Sequence, residues 1–180
     1  MAIEKDILMA AAFEPASTPR LRCELHNAIT HYAHSTFECD MTDPHSIELV
    51  HFGSKRWANY FKVVLLGLQS VLPPEVRQNA HGTIKELVDG TVPPESSLSS
   101  SAAMTTCSSI VILTALKALH VVPRKVIADV ACHSERLVGV HSGGMDQAVS
   151  VFGQRDKALF VSFAPTLHVS PIELPLGHQY

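Results

Sequence analysis

A single domain mixing strands with helices is what this sequence predicts, and three features predict it. Short apolar runs without helical period stand near both ends, at Ile7 to Phe13 and at Phe160 to Phe163. Between them, from Trp57 onward, apolar residues recur with the spacing of one helical face. A length of 180 residues, 46% of them hydrophobic, suits one domain with a real core.

Ile7 to Phe13 reads as a strand or a buried helical turn, and Arg20 to His26 alternates as a strand does. Glu14 to Pro19 separates them with two prolines. From Asn27 to Val50 the pattern is weak and supports only a turn at Asp40 to Pro44. Trp57, Tyr60, Phe61, Val64, Leu65, Leu68 and Val71 then share one side of a helix, which Pro73 and Pro74 end. On that spacing the three aromatic residues belong to the core and not to a sugar-stacking platform.

A strand is expected around Thr83 to Leu87. A second helix fits Ser100 to His120, with Ala103, Cys107, Ile110, Val111, Thr114 and Ala118 as its buried stripe. Pro123 suits the first turn of a third helix reaching about Arg136. Phe160 to Phe163 and His168 to Leu174 close the chain as a pair of strands, and Gly177 to Tyr180 do not resemble a domain ending.

Charge and composition narrow the function. Fourteen basic against 17 acidic residues give a formal charge of −3, and no basic cluster is interleaved with aromatics, so a nucleic-acid partner is not expected. The longest apolar run, around Val63 to Leu66, is too short for a bilayer. Glu4, Lys5 and Asp6 stand where a secretion signal would be apolar. Cys23, Cys39, Cys107 and Cys132 form no CxxC pair. Reduced thiols and a cytoplasmic location are therefore expected. Cys23-x-x-His26 and His31-x-x-His34 imitate zinc spacing, but Cys23 and His26 fall in a strand-like segment and 11 histidines make such coincidences common.

Two segments carry candidate chemistry. VPPESSLSSSAAM, Val92 to Met104, crowds serines onto a helix start. Free N–H groups there attract an anion, and serine hydroxyls add donors or a metal ligand. The same residues would also serve a plain cap at Ser99 or Ser100 with tight packing at Ala102 and Ala103. The segment is neither a P-loop nor a Gly-x-Ser-x-Gly elbow, and Glu95 would repel a phosphate unless turned away or protonated. The second segment, Ser134 to Gln147, reads SERLVGVHSGGMDQ. Asp146 behind the Gly143-Gly144 pair could orient or deprotonate a hydroxyl, and Glu135 could give an oxygen to Mg²⁺. A helix cap and a solvated charge are the competing readings. Together the segments describe an anion nest, a metal carboxylate and a second carboxylate for an attacking hydroxyl.

VPPESSLSSSAAM resembles the second motif of the galactokinase branch of the GHMP small-molecule kinases, Pro-x-x-x-Gly-Leu-Ser-Ser-Ser-Ala. ERLVGVHSGGMDQAVSVFG, Glu135 to Gly153, is similar to that branch's Glu-x-x-x-Gly-x-x-x-Gly-x-Met-Asp-Gln segment, above all in fungal members. WANYFK at Trp57 to Lys62, ALFVSFAP at Ala158 to Pro165 and the opening MAIEKDILMA extend the likeness over nearly the whole chain. The resemblance implies an α+β fold, the GHMP kinase N-terminal domain of the ribosomal-protein-S5 domain 2-like type. It implies ATP phosphates on Ser97, Leu98, Ser99, Ser100, Ser101 and Ala102, with Ser99 or Ser100 and Glu135 assisting Mg²⁺. Asp146 would be the catalytic carboxylate at the sugar C1 hydroxyl, Gly143 would lie against galactose, and the product would be galactose 1-phosphate.

Two departures qualify this transferase reading. The family has glycines where this chain has Glu95 and Ser97, and a positive φ at Ser97 would cost about 1–3 kcal/mol. The family's first motif, with the arginine that pairs with the catalytic carboxylate, has no counterpart, and neither do the third, glycine-rich motif and the C-terminal domain. Residues 1–180 are thus expected to be a truncated N-terminal domain with impaired kinase activity and exposed apolar surface. The competing reading is a galactose- and ATP-sensing relative that binds a transcriptional repressor.

Overall fold

A four-stranded sheet forms from β1 (Ile7–Pro15), β2 (Leu21–Asn27), β3 (Ser35–Cys39) and β4 (Gly82–Gly90), with buried and exposed residues alternating clearly in β2 and β4. The computed structural model describes residues 4–94 and 96–173. Met1 to Ile3 of the opening stretch, Glu95, Leu174 of the last expected strand, and Gly177 to Tyr180 lie outside the described residues. The strand order is β1-β4-β2-β3, with β4 antiparallel to β1 and parallel to β2, and β2 antiparallel to β3. Ile7 to Phe13 is therefore strand, not helix. In β4, Ile84, Glu86 and Val88 turn inward while Lys85, Leu87 and Asp89 turn out. The outer face carries exposed ion pairs, Arg22 with Glu24 and Glu38, and Lys85 with Glu14, each worth little in water.

The helices follow as α1 (Asn59–Val71), α2 (Pro74–Gln78), α3 (Ser100–Ala115), α4 (Arg124–Glu135) and α5 (Met145–Phe152), and the chain closes with the hairpin β5 (Lys157–Ser162) and β6 (His168–Glu173). α1, α3 and α4 pack on one another, α3 also touches β1, and α5 packs on α3 and α4. One core joins Leu21 and Leu25 of β2, Ile84 of β4, Phe61 and Leu65 of α1 and Ile112 of α3. Entry into α1 is fixed by polar clamps. Trp57 Nε1 donates to the Ala33 carbonyl at 2.9 Å, and the Asn59 amide holds both backbone groups of Val50 at 2.9 and 2.7 Å.

Gly67 lets α4 approach α1. A methyl group there would collide with Ser134 Oγ and come within 2.9 Å of Val130 Cγ1. Cys23 faces the core while His26 faces out, so the Cys-x-x-His spacing does not converge. The thiols behave as core groups. Burial raises Cys39 to about 12 and Cys107 to about 11, and all four cysteines are unpaired. No helix among the described residues is long and apolar enough to cross a membrane.

α3 departs most from the sequence pattern. It buries Ala102, Met104, Thr105, Thr106, Ser108, Ser109, Ile112 and Leu113, while Ile110, assigned to the buried stripe, is exposed. Neighbouring elements cover α3 on most sides; within it Ser109 donates to the Thr105 carbonyl at 2.8 Å, and Thr105 shares its one hydroxyl proton between the Ser101 carbonyl at 3.1 Å and Glu135 Oε1 at 3.2 Å. Buried hydroxyls that bond within their own helix cost little. The helix also stops at Ala115 and not at His120. Lys117 adopts φ 55°, and Ala118 N–H returns to the Leu113 carbonyl at 2.7 Å, a left-handed closing turn made without glycine.

Candidate functional site

The serine segment reaches α3 through two left-handed residues. Ser97 and Ser99 both have φ 59°, a region that costs a non-glycine residue about 1–2 kcal/mol. The expected need for glycine at Ser97 is thus a matter of backbone geometry. Ser99 occupies the cap position of α3, yet its side chain caps nothing, so simple capping does not account for it. The first intrahelical acceptor is used by Ala103, whose N–H meets the Ser99 carbonyl at 3.0 Å. The N–H groups of Ser100, Ser101 and Ala102 precede that bond and face the helix end, where the dipole favours an anion. Ser97 and Leu98 are exposed, Ser99, Ser100 and Ser101 half-buried, and Ala102 buried. Ser97→Gly is expected to stabilise the protein by about 0.5–1 kcal/mol, the relief of φ strain less the added chain entropy. Denaturant unfolding reads this, and a destabilised variant would contradict it.

Glu135 closes α4 fully buried, not solvated. Its Oε1 accepts from Thr105 Oγ1 at 3.2 Å, while its Oε2 has no hydrogen-bond partner among the described residues. Burial pushes the carboxyl above its ordinary range, while the nearby polar side chains of Ser142, Thr105, Ser101 and Gln147 pull it back. The carboxyl therefore joins three elements: Ser101 in the first turn of α3, Ser142 in the loop before α5, and Gln147 in α5 itself. An unsatisfied carboxylate oxygen flanked by hydroxyls is a hard oxygen donor set, and it suits Mg²⁺ better than a softer metal.

α5 begins after Gly144, at φ 83°, where a Cβ would meet Cys132 Sγ at 3.1 Å and Phe163 Cε1 at 3.2 Å. Close packing and left-handed geometry both require glycine there. Gly143 is exposed, and a Cβ there would meet nothing within 4 Å, while Asp146 is exposed in the first turn of α5, not capping it. The structure thus brings Ser101 near Glu135 and sets Asp146 one residue before Gln147, whose amide bonds Ser142. It shows no direct contact from Gly143 or Asp146 to Ser97–Ser100. Thr105, Ser142 and Gln147 were not among the sequence candidates. Thr105 was legible as the residue one turn after Ser101, and Gln147 as the neighbour of Asp146.

Beside the serine segment lies an apolar cleft of about 100 Å³, lined by Ile29, Tyr32, Trp57, Tyr60, Met104 and Ser100 among others. Phe61 and Trp57 are core residues as expected, whereas Tyr60 is half-buried and forms part of the cleft wall.

The model for the GHMP kinases N terminal domain matches residues 59–154. A galactokinase of Candida albicans is 38% identical over 123 residues, covering 67% of this chain and 23% of its own length. A galactokinase of Schizosaccharomyces pombe is 29% identical over 182 residues, covering 98% of this chain and 34% of its own length. The chain therefore spans about a quarter to a third of these relatives. A crystal structure of Lactococcus lactis galactokinase complexed with galactose superposes over 97% of this chain and 41% of that one, with a TM-score of 0.74 at 22% identity. A D-glycero-D-manno-heptose 1-phosphate kinase from Bacteriodes thetaiotaomicron superposes over 95% of this chain and 50% of that one, with a TM-score of 0.63 at 16% identity. At these identities the superpositions speak for the fold, an α+β GHMP kinase N-terminal domain, while the family match rests on sequence over more than half of the residues. This chain belongs to the GHMP kinase family.

Proposed function

We propose that this chain forms the ATP- and sugar-facing part of a galactokinase-like phosphotransferase. The observation that carries this reading is the junction of α3, α4 and α5, where the N–H groups of Ser100 to Ala102 precede the first intrahelical bond of α3 and the Thr105 hydroxyl of the same helix reaches the buried Glu135 carboxyl. Residues Ser97 to Ala102 would receive the nucleotide phosphates, and Tyr60 and Trp57 would border the base. The cleft is far below the ~300–1,000 Å³ of sites that enclose whole ligands, so it would take the ring alone. Ser99 or Ser100 and Glu135 would hold Mg²⁺, which neutralises charge on the phosphate oxygens when bound.

Asp146 would accept the proton of the D-galactose C1 hydroxyl as its oxygen bonds to the γ-phosphorus and the bond to the ADP oxygen breaks, yielding galactose 1-phosphate and ADP. Gly143, exposed and without a side chain, would leave room for the sugar. Alignment of these groups, more than covalent chemistry, would supply the rate.

The test uses the 180-residue protein with Mg²⁺-ATP, with and without galactose. Calorimetry is expected to detect nucleotide binding, and ADP release, weak in the 180-residue protein because its activity is expected to be impaired, is expected only when galactose is present. Absence of nucleotide binding, or ADP release indifferent to galactose, would overturn the reading. Binding of both ligands without turnover would favour a sensor that engages a repressor.

A further inference from the structure

We infer that Gln147 is a positioning residue of this site, a buried amide that sets the direction of Asp146 by tying α5 to the preceding loop. The inference rests on the phosphotransferase reading, and its observations are separate. Gln147 is fully buried, and its Nε2 donates to Ser142 Oγ at 3.2 Å. The same side chain lies near enough to the Glu135 carboxyl to favour its charged form. Ser142 is itself held to α4, with its Oγ and its carbonyl each 3.8 Å from Cys132 Sγ. One side chain therefore meets the loop, the α4 carboxyl and the helix that carries Asp146.

Packing alone does not explain an amide at this position. A buried amide with an unmet group costs about 1–3 kcal/mol, and Gln147 Oε1 has no partner among the described residues. Leucine would fill a similar volume without that cost. What glutamine adds is rotational control. Successive helix residues point about 100° apart, so fixing Gln147 inward fixes Asp146 outward. α5 is short, with eight residues, a left-handed glycine at its start and no side-chain cap, and beside Gln147 its only fully buried residue is the small Ala148.

The experiment compares the full chain with Gln147→Leu, Ser142→Ala and the double variant. In ligand-free protein, hydrogen exchange at residues 140–146 is expected to quicken about tenfold in Gln147→Leu while the sheet and α1 keep their protection. In the kinase assay kcat is expected to fall about 10²-fold with KM for ATP changed less than about threefold, as a misaimed group would produce. The double variant should be no worse than Gln147→Leu, because both changes remove one bond. Unchanged exchange at residues 140–146 overturns the inference whether or not the protein turns over. A wild-type protein that lacks galactose-dependent turnover defeats the phosphotransferase reading instead and leaves exchange to decide whether the amide anchors the loop. Global loss of protection in Gln147→Leu, with KM and kcat falling together, would mark the amide as merely structural.

Discussion

Replacing Glu86 with glutamine should stabilise the protein by about 3–5 kcal/mol at about pH 9 and hardly at all near about pH 4. Glu86 lies on the inward face of β4, opposite Ala11 of β1 and Leu25 of β2. It is 2% exposed, and neither of its carboxyl oxygens has a partner among the described residues. Burial lifts it from 4.5 to about 8. Its titratable neighbours are the thiols of Cys23 and Cys107, themselves pushed up chiefly by burial, so no cation offsets the charge.

The direction of the effect follows from the two states. The unfolded chain loses this proton near 4.5, whereas the folded protein keeps it to about 8. Between those values the folded state holds the extra proton, so stability falls as pH rises and levels off above the folded value. Glu86→Gln removes that slope. Glu135, also raised by burial, leaves a smaller fall in both proteins. Denaturant unfolding across this pH range supplies the comparison, and parallel curves would show that Glu86 is not the group responsible.

Asp146→Asn should reduce galactose-dependent ADP formation by about 10²–10⁴-fold, the usual worth of a positioned general base. Asparagine keeps the shape and loses the charge that, on the proposed mechanism, would accept the proton. Because Asp146 is exposed on α5 and supports no packing, folding should be untouched and Mg²⁺-ATP affinity should change less than about threefold. A variant that retained more than about a tenth of the rate would remove Asp146 from the chemistry.

Local chemistry was the most legible part of this sequence. The double proline after Leu72, the alternation in β2 and β4 and the glycine pair before Met145 each act through backbone geometry that neighbours cannot override. α3 was misread because helical periodicity assumes one wet face. This helix is covered by α1, α4, α5 and β1, so its hydroxyls are buried and the apolar stripe loses its meaning. β3 escaped notice because its inward set is Ser35, Phe37 and Cys39, only one of them a large apolar residue. α5 escaped because a glycine pair signals a turn and only eight residues follow it. Glu86 was in fact readable: Ile84 and Val88 fix the inward face of β4, and parity places Glu86 between them. The convergence on Glu135 was not, since α3, α4 and α5 meet through tertiary packing that spacing does not encode.

The parallel pairing of β2 with β4 has a kinetic consequence. Leu21 meets Gly82, and Ile7 meets Gly90 across the antiparallel side, so both neighbours of β4 are joined only after long loops have closed. Such contacts forfeit chain entropy before they return any energy, which slows the step that makes them. α3, α4 and α5, by contrast, are consecutive in the chain and pack on one another, so they can assemble early from nearby residues. The expected order of assembly is helices first and sheet last. The serine segment lies between β4 and α3 and so forms the seam between the parts expected to assemble early and late.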